Sequence, residues 1–379
     1  MPFTHAFPGF DRKYMTPSIP FPDIPTPAVL VDTDRLQSNI GAMAERCART
    51  GTALWPHIKT HKCVAIARQQ LAAGATGLTC AKLGEAEAMA AARPGRLFVA
   101  HSIVDPAAAP RIDALLEQID ELILAVTSEA HFTALTRVLQ RVRQRDRIQF
   151  LLAVDTGLGR EGARTAADGA RLAQAVAREG IGRIRGLYTH EGQTYSVPPA
   201  DRDKAIDQVL GTLVATRDAI DPKLELWPGC TVTAHHMAGR PGVTGVRPGA
   251  YVFGDLHVPG AADDAHSNSR ALTILVTVVD KPEPSLALID AGSKTFSSDK
   301  LSDGTSAIAA DGRDLKVVRV NEEHGYVRGG AVAALQIGER VEFVPAHVCP
   351  TVNLTDRLVV VSNGQVVDSW AVEGRGRVT

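Results

Sequence analysis

Lys59 stands two residues beyond an apolar run, in "LWPHIKTHKC" (54–63), between His57 and His61. A lysine placed where a strand opens into a shielded pocket loses solvation. That disfavours its ammonium and leaves an amine able to form an imine. Taken alone, Lys59 is equally a solvated helix start, which is how Lys62 reads. Further along, "DTGLGREG" (155–162) carries Arg160 among glycines, and "THEGQTY" (189–195) carries His190 and Tyr195. "PGCTVTA" (228–234) and "RPGAYVFGD" (247–255) expose glycine-rich backbone. N–H groups at Gly229, Cys230 and Thr231, and around Gly249, Ala250 and Tyr251, would cradle a phosphate without a side-chain charge. Arg160 would hold a phenolic oxygen or ring nitrogen, and His190 would pack on an aromatic ring. His57 and Tyr195 complete the expected contacts, His57 and His61 reading as hydrogen-bonded residues of the same rim. Lysine, phosphate cradle and ring contacts together describe a pyridoxal phosphate site.

A second group lies near the end of the chain. "FVPAHVCPTVNL" places His347 and Cys349 two residues apart in what reads as a strand, where i and i+2 share a face. An imidazole with a thiolate suits a divalent metal, zinc first and manganese or magnesium after it. Two protein ligands leave positions for water or substrate, which is the pattern of a catalytic metal. Cys47, Cys63 and Cys80 read as packing residues.

These groups need a scaffold that delivers them to one place. Eight short apolar runs, 53–57, 76–80, 97–101, 122–126, 148–154, 184–190, 224–229 and 246–253, alternate with helical patterns such as "KLGEAEAMAAA" and "DGARLAQAVARE". Continuous apolar strands between helices imply a parallel sheet covered on both faces, and eight of them imply an α/β fold, a (β/α)8 barrel of the TIM type. Its reactive residues sit at the C-terminal strand ends, where each of the stretches above falls. The rival, an open doubly wound sheet, lacks an early G-x-G-x-x-G. Beyond about residue 266 the pattern becomes short alternating strands with turns, a C-terminal β domain in which "SNGQ" (362–365) is a tight hairpin.

The 379 residues are 45% hydrophobic and 22% charged, with net charge −1. That balance offers neither the basic stripe of a nucleic-acid partner nor a membrane-binding face. No run approaches the ~20 apolar residues of a membrane span, and the first residues carry no signal-peptide pattern. Five scattered cysteines fit a reducing, cytoplasmic setting.

The joint set "TPAVLVDTDRLQSNI", "PHIKTHK", "VDTGLGREG", "GLYTHEGQTY", "GVRPGAYVFGD", "IDAGSKTFSSD", "NEEHG" and "HVCPTVNL" resembles the D-threonine aldolase/D-serine dehydratase family over nearly the whole chain. The resemblance implies an alanine racemase-like, fold-type III enzyme, usually a homodimer, with pyridoxal phosphate on Lys59 and a divalent metal at His347 and Cys349. It implies three parts. Residues 1–33 are an N-terminal segment and strand joining the β domain, 34–265 the cofactor-binding barrel, and 266–379 the β domain carrying the metal site. H-x-C at the metal and T-H-x-G-x-x-Y are nearer the dehydratase branch, "PTVNL" nearer the aldolase branch. "PGCTVTA" departs from the family's usual G-S-T-P-T. The expected activity is a lyase on D-β-hydroxy-α-amino acids, a small-molecule substrate class, favouring β-elimination to a 2-oxo acid and ammonia. Lys59, His347 and Cys349 would be its catalytic residues. Retro-aldol cleavage to glycine and an aldehyde is the alternative, with a racemase or a non-catalytic pyridoxal phosphate-binding protein behind it.

Overall fold

The computed structural model describes residues 21–257 and 269–379. The first 20 residues, read above as free of a signal peptide, and the expected boundary at 265/266 lie outside them. The chain enters through β1 (Ala28–Asp32) and the helix Thr33–Thr50, then alternates strand and helix. β2 (Ala53–Leu54) opens this alternation. β3 (Leu78–Cys80), β4 (Arg96–Val99), β5 (Glu121–Val126), β6 (Ile148–Ala153), β7 (Arg183–Tyr188) and β8 (Glu225–Trp227) form a six-stranded parallel sheet in that order. β9 (Gly245–Val246) pairs in parallel with β2 as a separate ladder.

The eight expected strands therefore appear as six plus two, and not as one continuous eight-stranded ladder. The interruption has a local cause. Pro56 and Pro248 fall where the first and eighth runs would extend, and a residue without an N–H cannot continue a ladder. Backbone bonds still tie the short pair to both edges of the larger sheet. The amides of Thr76 and Thr79 donate to the carbonyls of Leu54 and Pro56 (both 2.8 Å), and that of Thr244 donates to Leu226 (3.1 Å).

Aromatic rings fill the interior of the sheet. Trp55 and Trp227 pack at 4.3 Å between centroids, and Phe98 meets Tyr188 and Trp227 edge-on at 5.2 and 6.0 Å. Arg185, near the start of β7, lies over both tryptophans (5.5 and 5.2 Å). Arg247, just past β9, lies over Phe98 and Tyr188 (5.5 and 5.1 Å). This column gives the loops at the C-terminal strand ends a solid floor.

The remaining strands are β10 (Leu272–Glu283), β11 (Leu286–Ile289), β12 (Ala307–Ala309), β13 (Lys316–Val320), β14 (Gly325–Arg328), β15 (Arg340–Pro345), β16 (Arg357–Ser362) and β17 (Gln365–Ala371). They join β1 in one sheet, ordered β11-β14-β13-β12-β15-β10-β1-β16-β17, and β11 also pairs with β10, closing the first six into an antiparallel barrel. β1 runs antiparallel to β10 and parallel to β16. Asn363 and Gly364 both take positive φ (49° and 71°), the geometry of the tight hairpin read from "SNGQ".

The run around His347 is not the strand expected from its alternation. β15 ends at Pro345, His347 is an N-cap, and Val348–Asn353 is a helix. Pro350 is tolerated there because the first four N–H groups of a helix have no intrahelical partner. Val348 and Val352 are buried in a cluster with Cys63, Ile66, Ala250 and Phe253. Each such side chain contributes roughly 1.5–3 kcal/mol when fully buried. That packing presses the helix Val348–Asn353 onto the rim of the parallel sheet. Among the described residues, no helix is long and apolar enough to cross a membrane.

Candidate active site

A cavity of about 850 Å³ opens between the C-terminal strand ends and the helix Val348–Asn353. Every residue expected at the site lines it except Tyr251. Tyr251 packs against the barrel core instead, its hydroxyl accepting a hydrogen bond from Gln70 (3.0 Å). Its place in the middle of the 3-10 turn Ala250–Val252 carries the ring away from the cavity, which the sequence did not reveal.

Lys59 lies in the 3-10 turn Ile58–Thr60 directly after the first run, with His57 as the N-cap of that turn. His190 donates from Nδ1 to the Gly229 carbonyl (2.6 Å), so its proton is placed there and Nε2 is left as an acceptor. Burial first, then the charges of Lys59, Arg247 and Arg160, push the His190 imidazole down to about 4. His57 is held well below its ordinary value by burial, then by Lys59 and Arg247. Both rings are neutral, buried beside Lys59 and Arg247. Lys62, read as a solvated helix-start lysine, is buried: its Nζ bonds Asn353 Oδ1 (2.8 Å) and pairs with Glu85 (3.2 Å). It fastens the helix Val348–Asn353 to the barrel. His61 is also buried, between Gln70 and the amide of Cys63.

Beside the same turn, the amides of Gly249 and Ala250 converge on the Thr231 hydroxyl (3.1 and 3.0 Å). A Cβ at Gly249 would come within 2.8 Å of Thr60 Oγ1, and one at Gly229 would strike the Arg247 guanidinium at 2.3 Å. Only glycine permits the backbone to approach so closely. Burial pushes the Cys230 thiol up to about 11, so it brings no charge to this end. Asp155 accepts from the amides of Gly157 and Gly159 (3.1 and 3.0 Å), folding "DTGLGREG" into the turn that presents Arg160.

At the β-domain end, His347 Nδ1 meets Asp299 Oδ2 at 2.7 Å, and Cys349 Sγ donates to Thr60 Oγ1 at 3.3 Å. Burial opposes a charge on His347, but Cys349, Asp299 and Asp255 outweigh it and raise it to about 9. Among the described residues, no three or more His, Cys, Asp or Glu side chains are grouped to hold a metal ion.

Comparison with known proteins decides what this cavity belongs to. Residues 31–257 match the family model for the alanine racemase N-terminal domain, and residues 271–361 match that for a serine dehydratase domain. The D-threonine aldolase of Arthrobacter sp. is 32% identical over 95% of each chain. The chain belongs to the D-threonine aldolase/D-serine dehydratase family. It is a pyridoxal phosphate-dependent lyase of that family on an alanine racemase-like fold. A second relative, the D-threo-3-hydroxyaspartate dehydratase of Delftia sp. (strain HT23), is 32% identical over 86% of this chain and 91% of its own. A crystal structure of the D-threonine aldolase from Filomicrobium marinum superposes with a TM-score of 0.84 at 26% identity, covering 95% of this chain and 98% of that one. A D-threo-3-hydroxyaspartate dehydratase has been solved as a His-to-Ala variant and, in the metal-free form, as a Cys-to-Ala variant, at positions two residues apart.

The residues of this lyase suit both groups. For an anionic cofactor there are converging amides, glycines that keep the backbone open, and two histidines held neutral first by burial and then by nearby cations. For a metal there is a carboxylate–histidine pair, in which Asp299 fixes Nδ1 and leaves Nε2 to coordinate, beside a thiol. Three buried polar residues at the site were not read from the sequence as site residues. Arg247 donates to the carbonyls of Trp227 and Thr189, and burial brings it down to about 10. Glu191 accepts from the Gly229 amide (2.9 Å) and the Thr233 hydroxyl (2.6 Å), shaping the loop between them. Asp255 accepts from the Val348 amide (3.3 Å). All three stand inside motifs already singled out, beside residues chosen from them. Asp299 stands in one too, but its partner is 48 residues away.

Proposed function

We propose that this enzyme is a metal-dependent dehydratase of D-β-hydroxy-α-amino acids. It would break the Cα–H and Cβ–O bonds, expel water, and release an enamine that hydrolyses to a 2-oxo acid and ammonia. Lys59, Arg160, His190 and the Gly229–Thr231 and Gly249–Ala250 backbone would hold pyridoxal phosphate, which when bound stabilises negative charge at the substrate Cα. His347 Nε2 and Cys349 Sγ would hold a divalent ion, zinc first, whose chemistry is Lewis acidity toward a hydroxyl oxygen.

The chain's own groups then divide the work. Lys59 Nζ is the base for the Cα proton. His190, its proton fixed on Nδ1 by the Gly229 carbonyl, stays neutral and presents Nε2 to the cavity. Asp299 holds the His347 ring in the orientation that coordinates. The observation that carries this reading is the bond from Cys349 to Thr60, the residue next to Lys59. It anchors the base and the metal pair to adjacent residues of one turn. The two-residue spacing of His347 and Cys349 matches the two substituted positions of the D-threo-3-hydroxyaspartate dehydratase variants and supports elimination over retro-aldol cleavage.

The test is product analysis on protein supplied with pyridoxal phosphate and zinc or manganese. D-Serine, D-threonine and D-3-hydroxyaspartate are given in turn, with and without chelator. The expected result is a chelator-sensitive 2-oxo acid with ammonia. Glycine with an aldehyde would replace this reading with the aldolase one.

A further inference from the structure

We propose that Lys82, bonded to His101 where that ring lines the cavity, is an anion subsite that binds a second carboxylate of the substrate. The substrate is then a dicarboxylic D-3-hydroxy amino acid of the 3-hydroxyaspartate type, rather than one carrying hydrogen or methyl at Cβ. This deepens the lyase reading above and rests on it.

The two residues come from neighbouring strands. β3 and β4 pair in parallel with Cys80 opposite Val99, so Lys82 and His101, each two residues past those positions, emerge side by side. His101 lines the same cavity as Lys59 and His347, and the adjoining Ala81 and Ala100 leave room beside it. His101 Nδ1 lies 3.0 Å from the Ser102 carbonyl, which can only accept, so the proton is on Nδ1. Nε2 must then accept from Lys82 Nζ, at 3.2 Å. One ammonium proton is used, and two remain for a ligand.

The lysine and arginines that line the cavity are committed. Arg247 is spent on backbone carbonyls, Arg160 is paired with Glu161 (3.3 Å), and Lys59 is the cofactor lysine. Lys82 has no carboxylate within ion-pair distance among the described residues. Glu85, the acid in the first turn of the helix that follows it, is turned inward to Lys62 and the Ala81 amide. A charge held in place by a neutral imidazole, beside small residues and without a protein counter-ion, suits a carboxylate from the ligand.

The experiment titrates the pyridoxal phosphate-loaded protein with D-aspartate and with D-2-aminobutyrate, reading the cofactor's absorbance. Neither ligand has a β-hydroxyl, so binding is read without elimination. D-Aspartate is expected to bind about tenfold or more tighter, the scale of one charge-assisted hydrogen bond. Lys82→Met should erase that preference and leave D-2-aminobutyrate unchanged, and Lys82→Arg should keep most of it. The Lys82 side chain makes no cap bond to the helix Leu83–Met89, so these variants should fold. Equal affinities in the unsubstituted protein, or equal losses for both ligands in Lys82→Met, overturn the subsite. If hydroxylated substrates give no product while the Lys82-dependent preference persists, the lyase reading falls and the subsite stands. Product without that preference does the reverse.

Discussion

Lys59 and Lys62 share one ten-residue stretch and end in different surroundings. The cavity rim receives Lys59, which has no carboxylate within ion-pair distance among the described residues and stands near the imidazoles of His57 and His190. The junction beneath receives Lys62, held at a positive φ of 48° and closed in by Glu85 and Asn353. Residue type and local sequence are nearly the same for the two. What separates them is the partner set, and for Lys62 one partner lies 291 residues away. A buried lysine that meets its counter-ion within the protein ties elements together. One left facing a cavity without such a partner is available for chemistry.

Breaking each side of this contrast should fail differently. Replacing Lys59 with Ala is expected to abolish both turnover and the visible absorbance of bound pyridoxal phosphate. Persistent absorbance in a spectrum of the variant would show that the cofactor lysine lies elsewhere. Cys349→Ala should abolish turnover while keeping that absorbance, with zinc content falling in parallel, and unchanged activity would remove the metal from the mechanism. Lys62→Met acts on stability rather than chemistry. It strands the Glu85 carboxylate, and breaking a buried pair costs about 3–5 kcal/mol. Denaturant midpoints should show the loss, and adding Glu85→Leu should recover much of it.

The smallest effect is on acid stability. Burial brings the His61 imidazole down to about 4, despite its bonds to Gln70 and Cys63, against 6.5 for an exposed ring. Between those values the unfolded chain binds the extra proton and the folded chain does not. The contribution is therefore full above about pH 6.5 and is lost as pH falls toward 4. Unfolding curves recorded across that window should show stability falling by a few kcal/mol, at about 1.4 kcal/mol per unit. His61→Gln should flatten the slope, and an unchanged slope would mean that other groups dominate it.

Much of the site was legible because its residues stand at strand ends, where fully apolar runs meet glycine-rich turns. Lys59, Arg160, His190, Gly229 and Gly249 could be placed on one rim from the run-and-turn pattern alone. The number of continuous strands was not legible, because Pro56 and Pro248 interrupt two runs whose side chains still look apolar. His347 and Cys349 reach the cavity, but from an N-cap and a helix instead of one strand face, since an H-x-C-P stretch alternates equally well in either geometry. Asp299 on His347 and Glu85 on Lys62 escaped notice because pairing across dozens of residues leaves no local mark.

The most direct measurement is to reduce the pyridoxal phosphate-loaded protein with borohydride, digest it, and map the modified peptide by mass spectrometry. Reduction fixes the cofactor covalently to the lysine that holds it. The pyridoxyl group is expected on Lys59, in the stretch between Leu54 and Cys63, with Lys62 unmodified. Label on Lys62, or on a lysine outside the cavity, would contradict the assignment from which the rest of the site is built.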